Sequence, residues 1–316
     1  MLLSEGNQSF VPTFILLGFS EYPELQVPLF LVFLSVYTVT VVGNLGMIII
    51  IKVNSKLHRI MYFFLSHLSF VDFCFSTVVT PKLFENLIME DRTNSFSDCI
   101  VQFCFACLFG VADTFMLAAM SYDHIVAVWN RLLYTSAMCP KCCALLMAGS
   151  YSRGVVCSMT LTYFLFALSY CKSSTINSFI CDHSVIVSVF CSDPCISRML
   201  CFIIAIFNEA SSLVIILMFY IFIFITVMRM LSASEHWKTF STSASHLTAI
   251  SIFHRTILFL YCIPNPKTSW LTIKVTSVFY TIVIPILNPL TYSLRNKAVT
   301  NTFTRLVFSK PLCHST

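Results

Sequence analysis

Five ionisable side chains stand inside stretches that are otherwise apolar: Asp72, Asp113, Arg153, Glu209 and Arg255. A charge at the centre of a hydrocarbon layer costs about 2.5–3.5 kcal/mol on insertion scales, so each one asks for a functional reason. On one helix rising about 1.5 Å per residue, Asp113 lies about 15 Å from Asp123. That places Asp113 near mid-depth and Asp123 at the rim. Asp72, about a dozen residues into its own apolar run, reaches a similar depth by the same rise. Two carboxylates at one depth repel each other unless they share a proton or a cation. A bound Na⁺, with the amides of Asn44 and Asn288 beside it, is one chemistry that satisfies them. A pair of neutral, hydrogen-bonded acids is the other.

Catalytic patterns do not accompany these groups. The chain has no H-E-x-x-H, no G-x-S-x-G and, with 7 glycines in all, little means to build a phosphate-cradling loop. It is therefore read as a non-enzyme. Of the 15 cysteines, most lie in apolar runs, where a thiol behaves as a small hydrophobe. Cys99, at the start of the third run, and Cys171, Cys181, Cys191 and Cys195, in the long loop after the fourth, fall at exterior positions where disulfides are expected; their spacing does not select the pairs, and an odd number leaves one over. These five include no C-x-x-C pair and have only His183 nearby as an imidazole, which disfavours zinc.

The elements that hold these residues follow from composition. In 316 residues, 57% are hydrophobic and 10% charged, and mean hydropathy is +0.84. So much apolar surface exceeds what one water-facing core hides, and it calls for lipid. A net charge of +5 would suggest nucleic acid in a soluble chain, but here its placement carries the information, and no nucleic-acid partner is expected. Apolar runs of spanning length fall at about 25–51, 60–81, 99–123, 142–168, 199–228, 240–263 and 272–293. The sixth opens on the hydroxyl-rich run Thr239-Phe240-Ser241-Thr242-Ser243.

Seven spans put the termini on opposite sides. Loops on one side, with the tail, carry Lys52, Lys56, Arg59, Arg131, Lys141, Arg229, Lys238, Arg295, Lys297, Arg305 and Lys310; the other side carries Lys82, Arg92, Lys172, Arg198, Lys267 and Lys274. The positive-inside rule then sets the N-terminus outside and the C-terminus in the cytoplasm. The expected architecture is an all-α seven-helix membrane bundle forming one domain over 1–316, with an exterior segment 1–24 and a short tail 294–316. The sequon Asn7-Gln8-Ser9 falls in the exterior segment as a glycosylation acceptor. Asn288-Pro289, with Pro285 close before it, breaks the seventh helix into a movable joint, since proline lacks an N–H and clashes with the preceding turn.

Several motifs occur in order: Gly43-Asn44, Leu57-His58-Arg59-Ile60-Met61-Tyr62, Met120-Ser121-Tyr122-Asp123-His124, Lys238-Thr239-Phe240-Ser241-Thr242-Ser243, and Pro285-Ile286-Leu287-Asn288-Pro289-Leu290-Thr291-Tyr292. In this order they resemble the vertebrate odorant receptors of the rhodopsin-like G-protein-coupled class, of the large tetrapod type. The resemblance implies a plasma-membrane receptor for small volatile odorants that activates a stimulatory heterotrimeric G protein to raise cAMP. Its partners would be odorant, G protein, membrane lipid and a trafficking chaperone, with no cofactor beyond a structural Na⁺ at Asp72 and Asp113. The family usually has glutamate where Asp113 stands. By the same resemblance Cys99 pairs with Cys181 and Cys171 with Cys191, which leaves Cys195 as the extra thiol. Cys107, Gly110, Val111, Asn208, Ser211, His254 and Ile257 would lie at the odorant pocket, while Asp123, His124 and Tyr292 would serve G-protein coupling.

Departures from the family pattern weigh on the coupling. His124 stands where the family has arginine, Ile60 and Arg131 replace prolines, and Arg153 and Arg255 replace glycines. A histidine is shorter than arginine and lacks its five-donor fork. The expectation is a drifting member that folds poorly or signals weakly. The alternative is that Arg255 and His254 together recognise an acidic odorant. A non-signalling receptor and, further off, a secondary transporter are the competing functions.

Overall fold

Backbone polar groups inside a hydrocarbon layer find no water, so apolar runs of this length satisfy themselves as helices. The computed structural model describes residues 13–16, 23–54, 57, 60–88, 93–129, 134–167, 175–176, 181–187, 195–228, 233–262 and 285–286. Five of its helices are long and apolar enough to cross a membrane: α1 (Pro23–Val53), α2 (Ile60–Ile88), α3 (Phe96–Trp129), α5 (Pro140–Phe166) and α7 (Cys195–Met228). Two short helices, α4 (Tyr134–Ala137) and α6 (His183–Val187), sit between them. The last, α8 (Ala233–Cys262), contains a shorter apolar stretch, Ile250–Phe259. It starts before position 240, so the hydroxyl-rich run lies within the helix. Of the expected seventh span only Pro285 and Ile286 are described, both helical; Asn288 and Tyr292 lie outside the described residues.

The all-α expectation needs one amendment. Three short strands, β1 (Thr13–Leu16), β2 (Thr93–Ser95) and β3 (Thr175–Ile176), form a sheet of order β2-β1-β3. β1 pairs antiparallel with β2 and parallel with β3. Segments this short carry no readable period-2 pattern, which is why the sequence did not disclose them.

α3 is the central helix and packs against α2, α5 and α7. The main core joins Phe64 and Leu68 of α2, Met116 and Leu117 of α3, Ile216 of α7 and Phe253 of α8. The outward faces are apolar instead of polar: Val214, Leu217, Ile221 and Phe224 of α7 are all more than half exposed, while its buried stripe includes Asn208, Glu209, Ser212 and Tyr220. That inversion suits lipid outside and helix-to-helix polar contacts within. Serine and threonine hydroxyls return to the carbonyl one turn back, as in Thr40 to Val36, Thr77 to Phe73 and Ser121 to Leu117. At Gly154 a side chain would collide with the backbone carbonyl of Leu108, so glycine is what lets α5 approach α3.

Candidate functional site

The two mid-depth carboxylates do come together. Asp72 of α2 and Asp113 of α3, both buried, line a cavity of about 10 Å³ with Gly110, Phe253 and Pro285. That is room for one water-sized body and far too little for an odorant. Asp113 Oδ1 and Asn44 Oδ1 are buried without a hydrogen-bond partner. The Asn44 amide nitrogen is used, donating to the carbonyls of Thr40 and Pro285, so its oxygen is the atom left over. Hard oxygen donors with unspent lone pairs fit a small cation in chemical type. Among the described residues no group of three or more His, Cys, Asp or Glu is placed to hold a metal, and this includes the C-x-x-C pairs Cys104/Cys107 and Cys139/Cys142.

At the far end of α3, Asp123 is buried and accepts a hydrogen bond from the Tyr134 hydroxyl of α4 at 2.8 Å. His124 Nε2 lies 2.9 Å from the Ser243 hydroxyl of α8. A side chain from the run Thr239–Ser243 thus ties α8 to α3 beside the aspartate.

Deeper along α7, Asn208 and Glu209 reach in different directions. Asn208 Oδ1 accepts from Arg153 Nε of α5 at 2.9 Å and from the Cys157 thiol at 3.8 Å, while its amide donates to the Ile204 carbonyl. The Arg153 guanidinium stacks over the rings of Phe207, at 5.1 Å, and Phe115, at 5.8 Å. Glu209 Oε2 is 2.6 Å from His254 Nδ1 of α8, with both side chains buried. His254 Nε2 is buried without a partner.

At the opposite end from Asp123, Cys99 of α3 is joined to Cys181 by a disulfide with Cα atoms 5.3 Å apart. His183 follows in α6, buried against Phe103 and 3.1 Å from the Ser197 hydroxyl of α7. Burial holds its imidazole below the ordinary histidine range, with Arg198 acting the same way and Asp182 opposing.

A family description, olfactory receptor, matches residues 33–310. Human Olfactory receptor 5D13 is 71% identical over 314 residues, covering 99% of this chain and all of that protein. This chain belongs to the olfactory receptor family. Mouse Olfactory receptor 1165 is 58% identical over 316 residues with both chains fully covered, and human Olfactory receptor 5D18 is 57% identical over 310 residues, 98% of this chain and 99% of that protein. The receptor is accordingly a multi-pass plasma-membrane protein of the rhodopsin-like class and not an enzyme.

In this olfactory receptor the residues expected at the odorant pocket separate into distinct settings. Gly110 borders the carboxylate cavity and Ile257 is in the main core. Cys107 packs against the cluster around Phe103 and Leu161, and Val111 is half-buried on α3. Ser211 returns its hydroxyl to the Asn208 carbonyl. Arg255 is exposed on α8 while His254 is buried, so the two do not form one acid-binding face. This follows from the helix, which turns consecutive side chains by about 100°. Sequence reasoning missed Tyr134, Ser243 and the pairing of Glu209 with His254; the hydroxyl-rich run and the lone span glutamate were the signals. Asn7, Cys171 and Cys191 lie outside the described residues, and Cys195 is exposed at the start of α7.

Proposed function

We propose that this olfactory receptor binds small volatile molecules among α3, α7, α8 and the seventh helix, and passes the signal to a stimulatory G protein that raises cAMP. Full-length similarity to olfactory receptors is the observation that carries the reading. The N-terminus is taken as exterior and the tail as cytoplasmic from the distribution of basic residues. Asp72 and Asp113 would hold Na⁺, supported by the orphaned oxygens of Asp113 and Asn44. Asp123, His124 and Tyr292 belong to the coupling end.

The contact from His124 to Ser243 supports weak coupling. It ties α3 to α8 with a short imidazole, and offers no guanidinium fork to an incoming protein. That same contact favours the second reading, a receptor that binds odorant and signals little. An odorant panel read by cAMP, in cells co-expressing the olfactory G protein and a trafficking chaperone, tests both. His124→Arg is expected to raise the odorant-evoked response about tenfold or more, the scale of a charge-assisted contact. Robust signalling by the unmodified chain, unchanged in His124→Arg, would overturn the weak-coupling reading. Odorant-independent ion flux in proteoliposomes would instead support a transporter.

A further inference from the structure

We propose that Arg153 anchors a binding site for a lipophilic carboxylic acid, open to the membrane in the seam between α3, α5 and α7. The guanidinium is always charged and carries five N–H donors in a planar fork. Only Nε is spent, on Asn208; among the described residues the two terminal nitrogens have no hydrogen-bond partner and no acid pairs with Arg153. Glu209, the nearest acid in sequence to Asn208, is already engaged by His254.

The surroundings complete a receptacle. Phe207 and Phe115 wall the guanidinium, and Phe207 is 60% exposed on the outer face, so the seam is reached from lipid. Asn208 is buried and holds Nε, which leaves the terminal nitrogens of the fork unspent. A fork edge matches a carboxylate through two parallel N–H···O bonds, and the aromatic walls favour a cation held in place. Unmatched N–H groups in hydrocarbon are costly, so the site gains most from a ligand that brings its own anion.

Depth selects the source of that anion. Arg153 is at the middle of α5, about 20 Å from either end at about 1.5 Å per residue. Phospholipid phosphates lie at the edges of a hydrocarbon layer of about 30 Å, whereas the arginine turns across the seam toward Asn208 and does not extend along the helix. A small acid with an apolar chain can carry its carboxylate to that depth.

Thermal unfolding of the purified receptor in phosphatidylcholine nanodiscs tests this without any dependence on signalling. Medium-chain carboxylic acids are titrated against the methyl esters and alcohols of the same chains. The acids are expected to stabilise at concentrations about tenfold or more below the others, the factor a charge-assisted bond supplies. Arg153→Met should abolish that preference, Arg153→Lys should weaken it because a point charge replaces the fork, and Phe207→Ala, which keeps the charge, should reduce it. Arg255→Met, at an exposed position on another helix, should leave it intact. Equal effects of acid and ester, or an acid preference that survives Arg153→Met, would overturn the proposal. So would loss of the acid effect in phosphatidylglycerol nanodiscs, which would give the site to a lipid headgroup. If the acid preference appears while odorant-evoked cAMP does not, the binding site stands and the signalling function fails.

Discussion

Asn208 and Glu209 are neighbours on α7, with exposures of 5% and 4%, yet they serve opposite seams. One reaches α5 and meets Arg153; the other reaches α8 and meets His254. In the second contact an acid faces a base, and both are buried. In the first a permanent cation faces a neutral amide, and the cation is only partly covered. The two α7 residues are equally buried, so the difference lies in what each one meets. Glu209 has a hydrogen-bonding imidazole as its partner, whereas the permanent charge of Arg153 meets no acid among the described residues. The α7–α8 contact can stand as a structural joint, and the α5–α7 contact is left with unspent capacity.

The largest expected effect breaks the joint. Removing one member of a buried, hydrogen-bonded acid–imidazole pair leaves the other unsatisfied, at a cost of about 1–3 kcal/mol. Glu209→Ala and His254→Ala should each lower the Tm of the purified receptor strongly. The double replacement Glu209→Leu with His254→Phe should cost much less, because apolar side chains need no partner. If the double variant loses as much as both singles together, the two residues act independently and the comparison collapses.

A smaller effect, of opposite sign, is expected on the other seam. Arg153→Met removes a cation whose insertion costs about 2.5–3.5 kcal/mol and sacrifices one charge-assisted bond worth about 1.5–3 kcal/mol. The near balance predicts surface expression, measured by cytometry of an N-terminally tagged chain, equal to or modestly above the parent. A sharp fall would show that Arg153 holds the seam together as firmly as Glu209 and His254 hold theirs. Bulk does not enter this balance, since the tight approach of α5 to α3 is at Gly154.

The sequence made the spans legible because hydropathy and helix length are local properties. It also exposed Arg153 and Glu209, since charge is scarce against 57% hydrophobic composition, while Asn208 and His254 were named only through the family resemblance. What it could not reveal was partnership. Arg153 meets Asn208 and Glu209 meets His254 across long separations in sequence, and which faces meet depends on the rotation of each helix in the bundle. The same limit hid the contact of His124 with Ser243, although the hydroxyl-rich run had drawn notice. α8 begins earlier than hydropathy suggested because Glu235, His236 and Lys238 lower the apolar signal without opposing helix formation. The disulfide Cys99–Cys181 was anticipated only through family resemblance, as cysteine spacing left several pairings open.

The smallest predicted effect concerns a third buried polar residue, outside the spans, and it separates burial from pairing once more. His183 is 3% exposed, lies near Ser197 and Phe103, and has its imidazole held below the ordinary value of 6.5 by burial and by Arg198, against the pull of Asp182. The folded receptor therefore resists a proton that the unfolded chain accepts. Above about pH 6.5 both states are neutral at this site and the fold keeps its full stability. As pH falls below that and toward the lower folded value, the unfolded chain binds the proton first and stability is lost. Asp182 accepts a hydrogen bond from the His183 backbone N–H, whereas the Glu209 carboxylate meets the His254 ring itself. The Tm of the parent should accordingly drop between neutral and mildly acidic pH by more than that of His183→Gln, which keeps a polar group and cannot titrate. Equal pH slopes for the two would mean that His183 is protonated in the fold, with Asp182 matching its charge.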